Sequence, residues 1–150
     1  MVKEIRSFLS KNSKILDIGS GTCNICEVLR KNGHDVTPLD IQNLSFTDSI
    51  RPILYDGIKI PFDDDKFDIS LIITVLHHTA EPDKILEEAA RVSKQIIIIE
   101  DIYTNVIHKY LTYFFDSLLN LEFVGHPHTN KSDKQWKVTF NELGLKLIDV

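Results

Sequence analysis

Apolar residues in this chain recur at two periods, and stretches of one period alternate with stretches of the other. A short helical stripe (Val2, Ile5, Phe8, Leu9) precedes Lys14–Ile18, a run apolar enough for a buried strand. Asn24–Lys31 reads as a helix with Ile25, Val28 and Leu29 on one face, and Gly33 stands where a left-handed cap would end it. His34–Leu39 and Ile53–Tyr55 are expected as a second strand and a short third. FDISLIITV, Phe67–Val75, is expected as a fourth, covered on both faces. Pro82 can open the next helix, with Ile85, Leu86, Ala89, Ala90 and Val92 as its inner stripe, and Gln95–Glu100 carries IIII as a fifth strand. Tyr110, Leu111, Phe114, Phe115, Leu118 and Leu119 mark a long amphipathic helix. Ser132 and Gln135 form a capping box for a helix carrying Trp136, Phe140 and Leu143 and stopped by Gly144; Leu145–Val150 is expected as a sixth strand.

Strands alternating with helices predict an α/β fold: a doubly wound, mostly parallel sheet with right-handed crossovers. At 150 residues the chain is expected to be a single domain, and 43% apolar with 26% charged residues is ordinary for a globular one. No stretch approaches the roughly 20 apolar residues of a bilayer span. The start, MVKEIRSFLSKNSK, lacks the apolar block of a signal peptide, so a cytoplasmic location is expected. A net charge of −5 and a pI near 5.6 argue against non-specific affinity for nucleic acid or anionic lipid. The acidic run Asp63–Asp65 reads as a solvated turn.

In such a sheet, ligands bind beyond the carboxyl ends of the strands. Past the first strand come Asp17, Gly19, Ser20, Gly21 and Thr22. Glycines there let backbone approach a ligand, and the following helix directs its free N–H groups and positive end to the same place. Nineteen residues beyond Gly21 stands Asp40, at the spacing where an acidic side chain takes both hydroxyls of a ribose. A dinucleotide site would carry a third glycine, but that position is Asn24. A carboxylate at Asp17 would repel a pyrophosphate yet suits an ammonium group. The pattern therefore points to a nucleoside bearing an amino acid, which describes S-adenosylmethionine.

These residues resemble a class I S-adenosylmethionine-dependent methyltransferase of the small-molecule group called type 11. DIGSGT resembles that family's first motif, and Asp40, with Ile41 after it, its acidic ribose-binding end of strand two. Tyr55-Asp56-Gly57 resembles the segment whose acid meets the adenine amino group. VLHHTAEPDKILEEAARVSK resembles the stretch whose first residues, Val75, Leu76 and His77, line the methionine part of the cofactor. The resemblance implies a Rossmann-like sheet in the order 3-2-1-4-5-7-6. This chain ends at its sixth expected strand, so the last strand is expected to be missing, leaving either a truncated protein or a homodimer that completes the sheet across its exposed edge.

The implied reaction moves a methyl group to a small-molecule acceptor. A general base is needed only where the acceptor must lose a proton. His77 is expected to contact cofactor through its backbone, with its ring packed. His78 and His126 are the candidates for a catalytic, substrate-side role; His128 shares the loop of His126, Asp101 and Tyr103 follow strand five, and His108 reads as surface. No metal is expected, because adjacent His77 and His78 diverge on most backbones and one CxxC, Cys23 and Cys26, lacks a second pair. The two cysteines read as a small turn residue and a buried helix residue rather than a redox pair. Two rival readings are a nicotinamide-dependent oxidoreductase and a non-catalytic cofactor-binding module.

Overall fold

The computed structural model describes residues 2–103, 110 and 129–149. The expected helix beyond Tyr110, together with His108, His126 and His128, lies outside them. Five strands, β1 (Lys14–Ile18), β2 (Asp35–Asp40), β3 (Ile53–Leu54), β4 (Phe67–Ile73) and β5 (Ser93–Ile99), form one sheet in the order β3-β2-β1-β4-β5. β1 runs parallel to β2 and to β4, and β2 parallel to β3. The order steps outward from β1 on one side and resumes at β4 on the other, which places the switch point between these two strands. The described helices are α1 (Val2–Ile5), α2 (Asn24–Lys31), α3 (Pro82–Val92) and α4 (Asp133–Glu142), with short 3-10 turns at Arg6–Phe8 and Leu76–His78.

The chain divides into two compact units, Met1–Ile73 with Lys84–Ile98, and Thr74–Asp83 with Ile99–Val150. In the first, Ile15, Leu16 and Ile18 of β1, Leu39 of β2 and Leu71 and Ile72 of β4 are fully buried, as are Leu86, Ala89 and Val92 of α3. Consecutive buried residues along β1 and β4 are what a strand covered on both faces requires. Arg91 laces α3 to the loop entering β4: its guanidinium donates to both Glu88 oxygens, to the carbonyls of Ile60 and Phe62, and to Asp64. The expected solvated turn Asp63–Asp65 is exposed, and Asp64 within it is thus an ion-pair partner.

The structure moves several expected boundaries. On α2, Val28 is 40% exposed, and Cys26 takes the inner face with Leu29. Cys26 and Leu29 are three residues apart and share a face, whereas Val28 lies about 200° round the axis from Cys26. β4 ends at Ile73 because Thr74 turns into the left-handed region (φ 53°). Val75 is therefore outside the strand. β3 is two residues long rather than three.

Leu145–Val150 was expected as a strand, and residues 145–149 form none. The reason lies at the end of α4, where Gly144 (φ 68°) donates to Asn141 O (3.1 Å) and Leu145 N–H donates to Phe140 O (2.8 Å). This double closure spends the Leu145 donor on the helix rather than on a ladder. At the other end of α4 the expected capping box forms, Gln135 N–H on Ser132 Oγ and Ser132 N–H on Gln135 Oε1. Among the described residues, β3 and β5 are the two edges of the sheet.

Candidate functional site

In the first unit, β1 runs into the turn at Gly19 (φ 71°) and Gly21 (φ 49°), backbone positions that side chains resist. The end of β2 holds this turn: Gly19 and Ser20 N–H both donate to Leu39 O, at 2.8 and 3.1 Å. Gly21 N–H donates to Asp40 Oδ2 at 2.8 Å, while Asp40 Oδ1 accepts from the backbone of Ile41 (2.7 Å) and Gln42 (3.2 Å). The nineteen-residue spacing thus records a direct contact: the buried Asp40 carboxylate fixes the shape of the glycine turn. A Cβ built on Gly21 would meet nothing within 4 Å, so space lies beside the turn. Thr22 O accepts from Phe46 N–H (3.5 Å), and Asn24 opens α2, exposed to solvent.

Asp17 is buried one residue before β1 ends. Cys26 Sγ–H donates to its Oδ2 at 3.0 Å. Burial pushes the Asp17 carboxyl up to about 6, the Cys26 hydrogen bond works against that, and the charge of Asp40 adds to it. Cys23, at the start of α2, takes a left-handed backbone (φ 59°) that a side chain adopts at a cost.

Beyond β3, Tyr55 N–H donates to Asp40 O at 3.1 Å, and burial, then Asp40 and Asp56, push its phenol up to about 12. Exposed Asp56 closes a turn, its Oδ1 accepting from Ile58 N–H (2.8 Å) and Lys59 N–H (2.9 Å), and these bonds, Lys59 foremost, hold its carboxyl below the ordinary range. Gly57 faces Ile41: an added Cβ would come within 3.2 Å of Ile41 Cγ2. Ile41 itself is 63% exposed. The structure therefore gathers Asp17, the glycine turn, Asp40, Ile41, Tyr55 and Gly57 around the carboxyl ends of β1, β2 and β3.

In the second unit, the segment after β4 is organised by Glu100. One carboxylate oxygen accepts from the N–H groups of Val75 (2.8 Å) and Leu76 (2.6 Å), the other meets His77 Nδ1 at 2.6 Å, and both side chains are almost wholly buried. The His77 ring is packed, with the His78 ring 4.1 Å away at a 39° tilt. Thr129 ties down the same turn, its N–H on His77 O (3.2 Å) and its hydroxyl on Leu76 O (2.9 Å) and Thr79 O (3.1 Å). Sequence reasoning passed over Glu100 as the end of an apolar strand; an acid closing a run of four isoleucines was the available signal. It also passed over the Cys26 contact, because a CxxC motif says nothing about a carboxylate nine residues earlier.

Residues 16–96, more than half of the chain, match the family described as Methyltransferase domain. The chain belongs to that family. It is 37% identical over 87 residues to the demethylmenaquinone methyltransferase of Paenarthrobacter aurescens, covering 54% of this chain and 34% of that one. To the sterol 4-C-methyltransferase strm-1 of Caenorhabditis elegans it is 28% identical over 130 residues, 77% of this chain and 39% of that one. The chain spans about two fifths of the length of the curated relatives it matches. Its fold is that of solved SAM-dependent methyltransferases. The enzyme from Archaeoglobus fulgidus aligns with a TM-score of 0.76 at 17% identity, over 95% of this chain and 65% of that one. The enzyme from Aquifex aeolicus aligns at 0.72 and 20%, over 99% and 80%.

S-adenosylmethionine is the cofactor that those solved structures name. The residues present fit it: two buried carboxylates stand at the ends of adjacent parallel strands, and the glycine turn between them opens on free space. The family match favours methyl transfer over the oxidoreductase reading.

Proposed function

We propose that residues 1–150 act as one S-adenosylmethionine-dependent domain that transfers a methyl group to a small-molecule acceptor. The observation that carries this reading is the pair of buried carboxylates, Asp17 and Asp40, bracketing a turn with open space beside Gly21. In this assignment Asp40 accepts from the ribose hydroxyls with the lone pairs its backbone contacts leave, since each carboxylate offers about four acceptor sites. Asp17 faces the ammonium group. Gly19, Ser20, Gly21, Thr22 and Asn24 form the wall of the site, and Ile41, Tyr55, Asp56 and Gly57 take the adenine. Val75, Leu76 and His77 are assigned to the methionine part by resemblance; the first two have their N–H groups committed to Glu100, so they would contact it through other atoms.

S-adenosylmethionine supplies a methyl group already activated by the positive charge on sulfur. The chain's own task is then to hold and desolvate, and proximity and orientation are worth up to roughly 7–11 kcal/mol in such steps. His78 and His126 are assigned to the acceptor, as bases where it must lose a proton. The small-molecule class is supported by the sterol and demethylmenaquinone methyltransferases among the relatives. A second copy pairing along the β5 edge is the partner this reading adds, and a cytoplasmic location goes with it.

Calorimetry tests the reading. Binding of S-adenosylmethionine and S-adenosylhomocysteine, with none of NADH, is the expected result; the reverse preference overturns it. A chain that binds cofactor yet methylates no sterol, quinone or other small acceptor is a binding module instead. Sedimentation velocity decides between monomer and dimer.

A further inference from the structure

The CxxC motif is the one sequence feature that the cofactor reading leaves unused. Its second cysteine has a specific environment. Cys26 is completely buried, and its Sγ lies 3.0 Å from Oδ2 of the equally buried Asp17. At that distance a proton lies between the two atoms, and the chemistry of the surroundings says where it resides. Burial and the Asp17 charge both push the thiol far up, and Cys23 adds to this while Arg30 opposes it. A thiol so placed is a donor, not a nucleophile or a redox centre.

The groups acting on Asp17 from the neighbouring elements are few. Cys26 reaches it from α2, Asp40 acts from β2, and its register partner on β4 is Leu71, which carries no charge. Asp40 makes the anion less favourable; the thiol makes it more favourable, because a hydrogen bond to the charged form stabilises that form.

We propose that Cys26 is a positioning residue for cofactor binding: by donating its S–H to Asp17 Oδ2 it keeps that carboxylate anionic and fixed in place for the ammonium group of S-adenosylmethionine. This rests on the cofactor assignment made above. Cys26 touches no ligand in this scheme and acts through Asp17 alone. The interaction also accounts for a cysteine on the inner face of α2, where an apolar side chain could not donate.

The test follows the Asp17 side chain directly. In the full chain without cofactor, the ¹³Cγ resonance of Asp17 is titrated by NMR for wild type, Cys26→Val and Cys26→Ser. Val fills the space without a donor, and Ser restores one; Cys26→Ala serves as a second donor-free variant should Val disturb the fold. Calorimetry with S-adenosylmethionine at pH 6 and pH 7.5 accompanies each. Loss of the donor is expected to move the Asp17 midpoint up by roughly one pH unit. Binding at pH 6 then weakens about fivefold, the difference shrinks to under twofold at pH 7.5, and Ser stays near wild type. An unmoved midpoint in both donor-free variants overturns the proposal, as does an equal loss of affinity at both pH values, which would mean packing alone. A midpoint that moves in a wild-type background that never binds S-adenosylmethionine is a distinct failure: it removes the cofactor assignment, and the positioning role with it.

Discussion

Two buried carboxylates in this chain have opposite circumstances. Glu100 accepts from two backbone N–H groups and meets an imidazole, so its charge is spread over three partners. Asp17 has a weak thiol donor and a second carboxylate near it, and its carboxyl is pushed up to about 6. A buried anion with a full set of partners holds a backbone shape; one with too few is costly until a cation arrives. In the proposed site, Glu100 is thus the scaffold residue and Asp17 the ligand residue.

Removing Glu100 attacks the well-partnered side and carries the largest expected effect. Glu100→Ala leaves two buried N–H groups and His77 without their acceptor, a loss of roughly 3–5 kcal/mol by analogy with broken buried pairs. Urea denaturation measures it, and a loss below about 1 kcal/mol would contradict the scaffold role.

Next comes Asp40, which holds the glycine turn and, in the proposed site, the ribose. Asp40→Ala frees the Gly21 N–H and withdraws the ribose acceptor, so affinity for S-adenosylmethionine should fall at least about a hundredfold, since bonds to a charged group run roughly 1.5–3 kcal/mol each. An unchanged dissociation constant by calorimetry would show that the ribose lies elsewhere.

Asp17 breaks the comparison from the other side. Its carboxyl titrates higher in the folded chain, near 6, than its ordinary 3.8, so the folded state binds the extra proton. Stability therefore falls as pH rises from about 4 to about 6 and stays reduced above that, by roughly 3 kcal/mol for a two-unit difference. Asp17→Asn should recover much of this at pH 7 and little at pH 4, while S-adenosylmethionine binding is lost. For wild type, affinity should drop about tenfold per pH unit below 6, as Asp17 takes up its proton. Melting curves and calorimetry across pH 4–8 check both, and a variant no more stable than wild type at pH 7 would mean that Asp17 is better partnered than its surroundings indicate.

The smallest effect concerns the other cysteine. Cys23 sits at φ 59° with only long sulfur contacts, to Ser20 Oγ (3.7 Å) and Gly21 O (3.9 Å). Cys23→Gly relieves the left-handed strain and should raise stability by about 1 kcal/mol. A melting temperature that falls would show that the thiol packs for more than the strain costs.

Much of this was legible in the amino-acid order. Buried strands, α2, the Pro82 helix and the Ser132 capping box all rest on local patterns, which act over three or four residues and survive into the fold. The glycine turn and Asp40 were legible as a pair because the β-α-β unit fixes their spacing. Leu145–Val150 was misread because a strand exists only where another strand receives its hydrogen bonds, and the helix closure at Gly144 and Leu145 claimed the first donor.

By itself, then, the sequence determined a parallel α/β sheet and the methyltransferase family, since periodicity and glycine placement are properties of neighbouring residues. Tertiary structure alone decided that Cys26 would meet Asp17 and that Glu100 would meet His77. Those contacts join residues nine and twenty-three positions apart, and burial gives them their strength, because in the absence of water a single proton's position sets the charge of a site.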